Sequence, residues 1–123
     1  KIASFRAGVE ATMPDFSAAG FAFDHVIKEQ PGKVVIGFTA SDNSNSYQLT
    51  QQTTNWDNQT MINSIASTYS SGQPNYTTIK AGPNTVYRFD NNDITWISDG
   101  TWYQISGTGP LSDSQVKSLV ISS

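Results

Sequence analysis

Apolar and polar residues alternate along most of this chain, and the alternation is sharpest on either side of Asp99-Gly100. An Asp-Gly pair between two runs of β-branched and aromatic residues predicts a two-residue hairpin with a type I′ turn, in which both central residues need positive φ. That turn fixes the register. Ser98 opposes Thr101, Ile97 opposes Trp102, Trp96 opposes Tyr103, Thr95 opposes Gln104 and Ile94 opposes Ile105. Side chains alternate across a strand, so Ile94, Trp96, Tyr103 and Ile105 share one face and are expected in the core. Ile97 and Trp102 meet on the other face, an apolar pair that needs either a cover or a use.

The same period of two predicts strands over residues 21–28, 33–40, 46–53, 76–80 and 85–89. In the first of these, Phe21, Phe23, His25 and Ile27 fall on one face. Gln30-Pro31-Gly32-Lys33 suits a type II turn, with Pro second and Gly third. Val34, Ile36 and Phe38 then share a face, and Tyr47 and Leu49 point inward after the polar loop 41–45. The segments at 76–80 and 85–89 flank the turn Ala81-Gly82-Pro83-Asn84.

Three stretches carry a helical period instead. Ile2, Phe5, Val9 and Met13 recur at spacings of three and four and predict a short amphipathic helix, weakened by Gly8 and stopped by Pro14. Met61, Ile62, Ile65, Ala66 and Tyr69 predict a helix of three to four turns, with Asp57 as N-cap, a Trp56–Met61 staple, and Gly72 and Pro74 as stop signals. Near the C-terminus, Ser112 and Gln115 form a capping box, Leu111 is placed to staple to Val116, and Val116, Leu119 and Val120 make the apolar stripe of a brief helix. The expected architecture is α+β, in the order α-βββ-α-ββββ-α. It is a single curved antiparallel sheet of about seven strands with two or three helices packed on one face.

At 123 residues, 1–123 reads as one domain. The apolar share of 37% supports a core, whereas charged residues make up only 14%, giving a polar but weakly charged surface. A net charge of −3 without a Lys/Arg cluster removes the electrostatic footprint of nucleic-acid binding and argues against docking on anionic lipid headgroups. With no cysteine, disulfides, zinc–thiolate sites and thiol nucleophiles are excluded. No apolar run approaches the ~20 residues of a membrane span. The start at Lys1 rather than Met leads us to expect a preceding segment.

Candidate chemistry is sparse. His25 is the only histidine; on the apolar face of its strand it reads as a partly buried or edge residue satisfied by a neighbour. A Ser/His/Asp hydrolase would need a cleft joining His25 to a carboxylate and a serine, and the chain carries neither a Gly-x-Ser-x-Gly elbow nor a phosphate-cradling glycine loop. Asp42-Asn-Ser-Asn-Ser46 and Asp90-Asn-Asn-Asp93 superficially resemble calcium loops, but the first lacks the sixth-position glycine and twelfth-position glutamate of an EF-hand, and both read as Asx turns. No catalytic residue, metal ligand or cofactor is assigned, and the chain is expected not to be an enzyme. The candidate ligand-binding residues are Trp56, Ile97 and Trp102, which either are covered by another element or line an apolar groove between sheet and helix suited to a lipid or peptide.

Asn55-Trp56-Asp57 opening a helix, then Ile94-Thr-Trp-Ile-Ser-Asp-Gly-Thr-Trp-Tyr-Gln-Ile-Ser-Gly107, then Leu111-Ser-Asp-Ser-Gln115, together resemble a family of uncharacterised extracytoplasmic domains of bacterial single-span membrane proteins. The likeness extends to residues 1–8 and 13–16 and so covers most of the chain. Some of these domains follow anti-sigma-factor-like segments, and the layout is distantly similar to the sheets of lipoprotein carriers and envelope-stress regulators. The family has no established catalytic residues to carry over. The ending Val120-Ile-Ser-Ser123 departs from its more alanine-rich final helix. What the resemblance implies is a non-enzymatic sensing or interaction domain, tethered at the extracytoplasmic face of a bacterial membrane, with a protein partner or a hydrophobic ligand. Two alternatives stand beside it: a carrier for a lipid or other hydrophobic molecule, and a carbohydrate- or cell-wall-binding module using Trp56 and Trp102.

Overall fold

Period-two segments become strands throughout the structure, a computed structural model that describes residues 2–4, 10–12, 20–40, 44–67, 76–89, 93–98, 100–109 and 111–122. In chain order the elements are β1 (Ile2–Ser4), β2 (Glu10–Thr12), β3 (Phe21–Gln30), β4 (Lys33–Ala40), β5 (Ser46–Thr53), α1 (Asn58–Ala66), β6 (Tyr76–Ala81), β7 (Asn84–Phe89), β8 (Ile94–Ser98), β9 (Thr101–Gly107) and α2 (Asp113–Ser122). Seven strands form one open antiparallel sheet in the order β3-β4-β5-β9-β8-β7-β6.

Local turn chemistry sets the hairpins. Gly32 has φ 77°, as the third residue of a type II turn requires, and its carbonyl accepts the Thr53 N–H at 2.9 Å. Gly100 has φ 75°, in keeping with a primed turn, and the five β8–β9 pairs are those the Asp-Gly turn dictates. Asp99 itself lies outside the described residues, as do residues 41–43, 90–92 and the helix-stop segment 70–74.

Register then builds the core. Ile36 faces Leu49, Leu49 faces Ile105 and Ile105 faces Ile94, so one row of buried aliphatic side chains crosses four strands. Burying each such side chain contributes about 1.5–3 kcal/mol. Trp96 stacks on Tyr103 with ring centroids 4.7 Å apart, and Phe21, Phe38 and Tyr47 form an aromatic group at the other end. Helix α2 closes this face, adding Val116, Leu119 and Val120 to the same cluster. Its capping box forms in both directions: the Gln115 N–H donates to the Ser112 hydroxyl at 3.2 Å, and the Ser112 N–H donates to the Gln115 side chain at 2.9 Å. Arg88, on the same face of β7, donates to the Asp113 carboxylate at 2.9 Å and to the Leu111 carbonyl, tying the helix entry to the sheet.

Four expectations change. The N-terminal stretch is not a helix: β1 pairs antiparallel with β2, Ile2 opposite Thr12. A helix of about a dozen residues containing a glycine is marginal without packing, and strand pairing wins. Phe5, Val9 and Met13 lie outside the described residues. Two helices are therefore present among the described residues, in the order ββ-βββ-α-ββββ-α. They also lie on opposite faces of the sheet rather than on one. Met61 of α1 is buried against Thr95, which shares its face with Trp102, whereas α2 joins the Ile36–Ile94 row. The sheet is apolar on both sides near β8, so each side requires a cover. Helix α1 is also shorter than its sequence pattern, and Tyr69 lies outside the described residues. Finally, His25 leaves the face of Phe21: a bulge between Phe23 and His25 shifts the register and sets His25 opposite Gly37, with its side chain exposed.

Candidate functional site

The polar positions of β5 and β9 lie on the α1 side of the sheet. Their register sets Gln48 opposite Ser106, Thr50 opposite Gln104 and Gln52 opposite Trp102. These are neighbouring strands at the centre of the sheet, so the pairs form a floor of amides and hydroxyls ending at one indole. None of the side chains of Gln48, Thr50, Gln104 and Ser106 has a hydrogen-bond partner among the described residues.

One wall is α1. Asp57 caps it, with its carboxylate accepting the Thr60 N–H at 2.8 Å, and that bond holds the Asp57 carboxyl below the usual carboxylate range. The helix sits down on the sheet through Met61. The Thr95 hydroxyl is the junction: it donates to the Tyr103 carbonyl at 2.7 Å, accepts the Trp102 indole N–H at 2.6 Å and lies 3.5 Å from the Met61 sulfur. Trp56, just before the helix, packs on Trp102 with ring centroids 5.0 Å apart and planes tilted by 43°. Between α1 and the floor lies a cavity of about 300 Å³, with Ile65 and Ser64 on the helix side, Trp102, Thr50 and Gln104 below, and Asp93 at one end.

A second cavity, of about 490 Å³, adjoins the first at Ser106 and continues along β9 to Thr108. Its far wall is the edge strand β3, through Asp24, His25 and Ile27. Gly37 forms part of its floor, and Ile27 lies directly over that glycine: a Cβ at position 37 would come within 3.1 Å of the Ile27 side chain. The two cavities share Ser106 in their linings, and taken together as a trough they run from Trp102 to the β3 edge.

Of the three residues singled out from the sequence, the structure brings Trp56 and Trp102 together and sets Ile97 beside Trp102 as its cross-strand partner. Trp102 lines the trough; Trp56 backs it, and Ile97 is half-buried. The trough has an amide and hydroxyl floor, and at its α1 end Ile65, Phe89 and the Trp102 indole add an apolar lining, so it is mixed in character rather than the purely apolar groove expected. Gln48, Thr50, Gln104 and Ser106 were not apparent from the sequence. Their signal is the polar half of the alternation in β5 and β9, which acquires meaning only once those two strands are paired.

The larger cavity also joins His25 to Asp24, Ser46 and Ser106. His25 Nδ1 lies 3.0 Å from the Asp24 carboxylate, but the two side chains are 61% and 55% exposed, and no serine hydroxyl bonds to the imidazole among the described residues. A water-exposed pair of this kind contributes little to stability and gives a serine no base in contact. Among the described residues, no group of three or more His, Cys, Asp or Glu is placed to hold a metal ion, and no helix is long and apolar enough to cross a membrane.

Fold and trough together define a class: an open antiparallel α+β domain with a helix on each face and a polar trough beside one of them. Comparison with protein-family models, with curated proteins and with solved structures finds no match to this chain.

Proposed function

We propose that this chain is a non-catalytic binding domain that takes its ligand in the α1-side trough, serving as the sensing or interaction module of a bacterial protein tethered outside the cytoplasmic membrane. The observation that carries the reading is the row of solvent-facing amide and hydroxyl side chains on β5 and β9, held on central strands along a preformed concavity. The weakly charged composition and the resemblance of the hairpin and C-terminal motif support the extracytoplasmic setting. The hydrophobic-carrier alternative finds an apolar lining in Ile65, Phe89 and Trp102 at the α1 end, but an acyl chain continuing along β9 would strip water from the amides and hydroxyls there without replacing their hydrogen bonds.

The test is a nitrogen–proton correlation spectrum of the labelled domain, titrated separately with the protein, lipid and polysaccharide fractions of a bacterial envelope extract. Shifts confined to Gln48, Gln104, Ser106 and the Trp102 indole with one fraction are expected. Shifts with none of them, or shifts only on other surfaces, would overturn the reading.

A second reading rests on the cavity that gathers His25, Asp24, Ser46 and Ser106, the residue types of a serine hydrolase, without the serine–imidazole hydrogen bond of an assembled triad among the described residues. A fluorophosphonate probe separates the two. No labelling is expected, whereas labelling of Ser46 or Ser106 that is abolished by His25→Ala would establish the hydrolase.

A further inference from the structure

We infer that the trough binds a neutral carbohydrate chain lying along β9, from Trp102 towards Thr108. This rests on the trough being the binding site and adds the class of ligand.

Three features of the site select that class. The first is charge. No lysine or arginine lines either cavity among the described residues, and a carboxylate stands in each, Asp93 in one and Asp24 in the other. Phosphate, sulfate and carboxylate ligands would meet these carboxylates with no lysine or arginine to pair with. The second is hydrogen-bonding character. Gln48, Thr50, Gln104 and Ser106 can each donate and accept, as sugar hydroxyls do, and they stand in two cross-strand pairs with no partner of their own. The sheet's backbone groups are engaged in the ladders on either side of β5 and β9, so an extended peptide lying on this face would find no main-chain partners. A ligand that bonds through its own hydroxyls meets the available groups. The third is shape and length. The trough follows β9 from Trp102 to Thr108, roughly 20 Å at strand rise, longer than any single sugar. It carries an indole at one end, the planar amphipathic surface against which a pyranose ring can stack.

Trp102 is itself held by the Thr95 bond and by Trp56, so its ring is fixed before the ligand arrives and little ordering is needed on binding. Gly37 and the overlying Ile27 shape the opposite wall at the β3 edge.

The experiment is titration of the labelled domain with four neutral hexaoses, of β-1,4-linked glucose, xylose, mannose and N-acetylglucosamine. At least one is expected to shift Gln48, Gln104, Ser106 and the Trp102 indole with a Kd of about 1 mM or tighter. Q48A and Q104A should each weaken that binding by about 3- to 10-fold, with spectra otherwise unchanged. T78A, on the same face but at the far edge on β6, should leave binding unchanged. No response to any hexaose at about ten times that concentration overturns the inference, and so does a hexaose that binds Q48A and Q104A as it binds the original chain. If the envelope protein or lipid fraction shifts the trough while every hexaose fails, the carbohydrate assignment falls and the binding-domain reading stands. If nothing shifts the trough, both fall.

Discussion

Thr95 is 2% exposed, and its single hydroxyl contacts three groups on two other elements: the Tyr103 carbonyl and the Trp102 indole of β9, and the sulfur of Met61 on α1. Thr95→Val keeps the shape and removes the acceptor, leaving the half-buried Trp102 N–H unpaired. The expected loss in urea unfolding is about 1–3 kcal/mol, with the indole proton resonance displaced; unchanged stability would show that the N–H finds another acceptor. Gly107 makes a contrasting case. A Cβ there would stand 2.2 Å from the Tyr47 ring and 2.7 Å from the Ser46 carbonyl, so a methyl group cannot be seated without moving backbone. Gly107→Ala should cost about 1–3 kcal/mol, read as a lower denaturation midpoint at unchanged slope. Neither role could be read from the sequence. Thr95 looks like any strand threonine, and Gly107 like the end of a strand, until β5 is laid beside β9.

Elements were legible where their signals are local. The capping box of α2, the Asp57 cap of α1 and the β8–β9 register each depend on residues within a few positions, and each forms as its side chains dictate. The N-terminal stretch failed because spacings of three and four in so short a segment do not separate a weak helix from paired strands. The placement of helices failed because no local signal says which face a connection crosses. Two predictions belong at this scale. Asp57 titrates lower in the folded state than unfolded, so its stabilisation of α1 is complete above the unfolded carboxylate value of about 4 and is lost as pH falls through the lower folded value. Far-UV circular dichroism and Thr60 amide shifts should report loosening of the α1 N-terminus on acidification, and Asp57→Asn should remove that step while keeping the cap. In α2, Leu119→Ala should cost about 2–5 kcal/mol, because Leu119 is 1% exposed. Ile121→Ala, at 63% exposed, should stay within about 0.5 kcal/mol. Equal effects from the two would place α2 elsewhere on the sheet.

At the scale of the whole molecule, the weakly charged surface and a trough without lysine or arginine among the described residues lead to a thermodynamic expectation. Binding of a neutral hexaose should change less than about 2-fold between roughly 0.05 and 0.5 M salt, as isothermal titration would measure, whereas a phosphate-bearing or acidic ligand would respond strongly. The sheet order carries a kinetic consequence. Strands β3 to β5 form one meander of neighbouring hairpins, and β6 to β9 form another; among the described residues the β5–β9 ladder is the strand pairing that joins them. Each meander can nucleate early from contacts close in sequence, while the joining ladder must wait for closure of the long loop containing α1. Gln48 and Thr50 come from one meander, Gln104 and Ser106 from the other. The proposed recognition surface is therefore absent from either half alone. It is complete only once the seam closes, and a bound chain gripping both sides would act as a clasp across that seam, slowing its reopening and protecting its amides from hydrogen exchange before it protects any others.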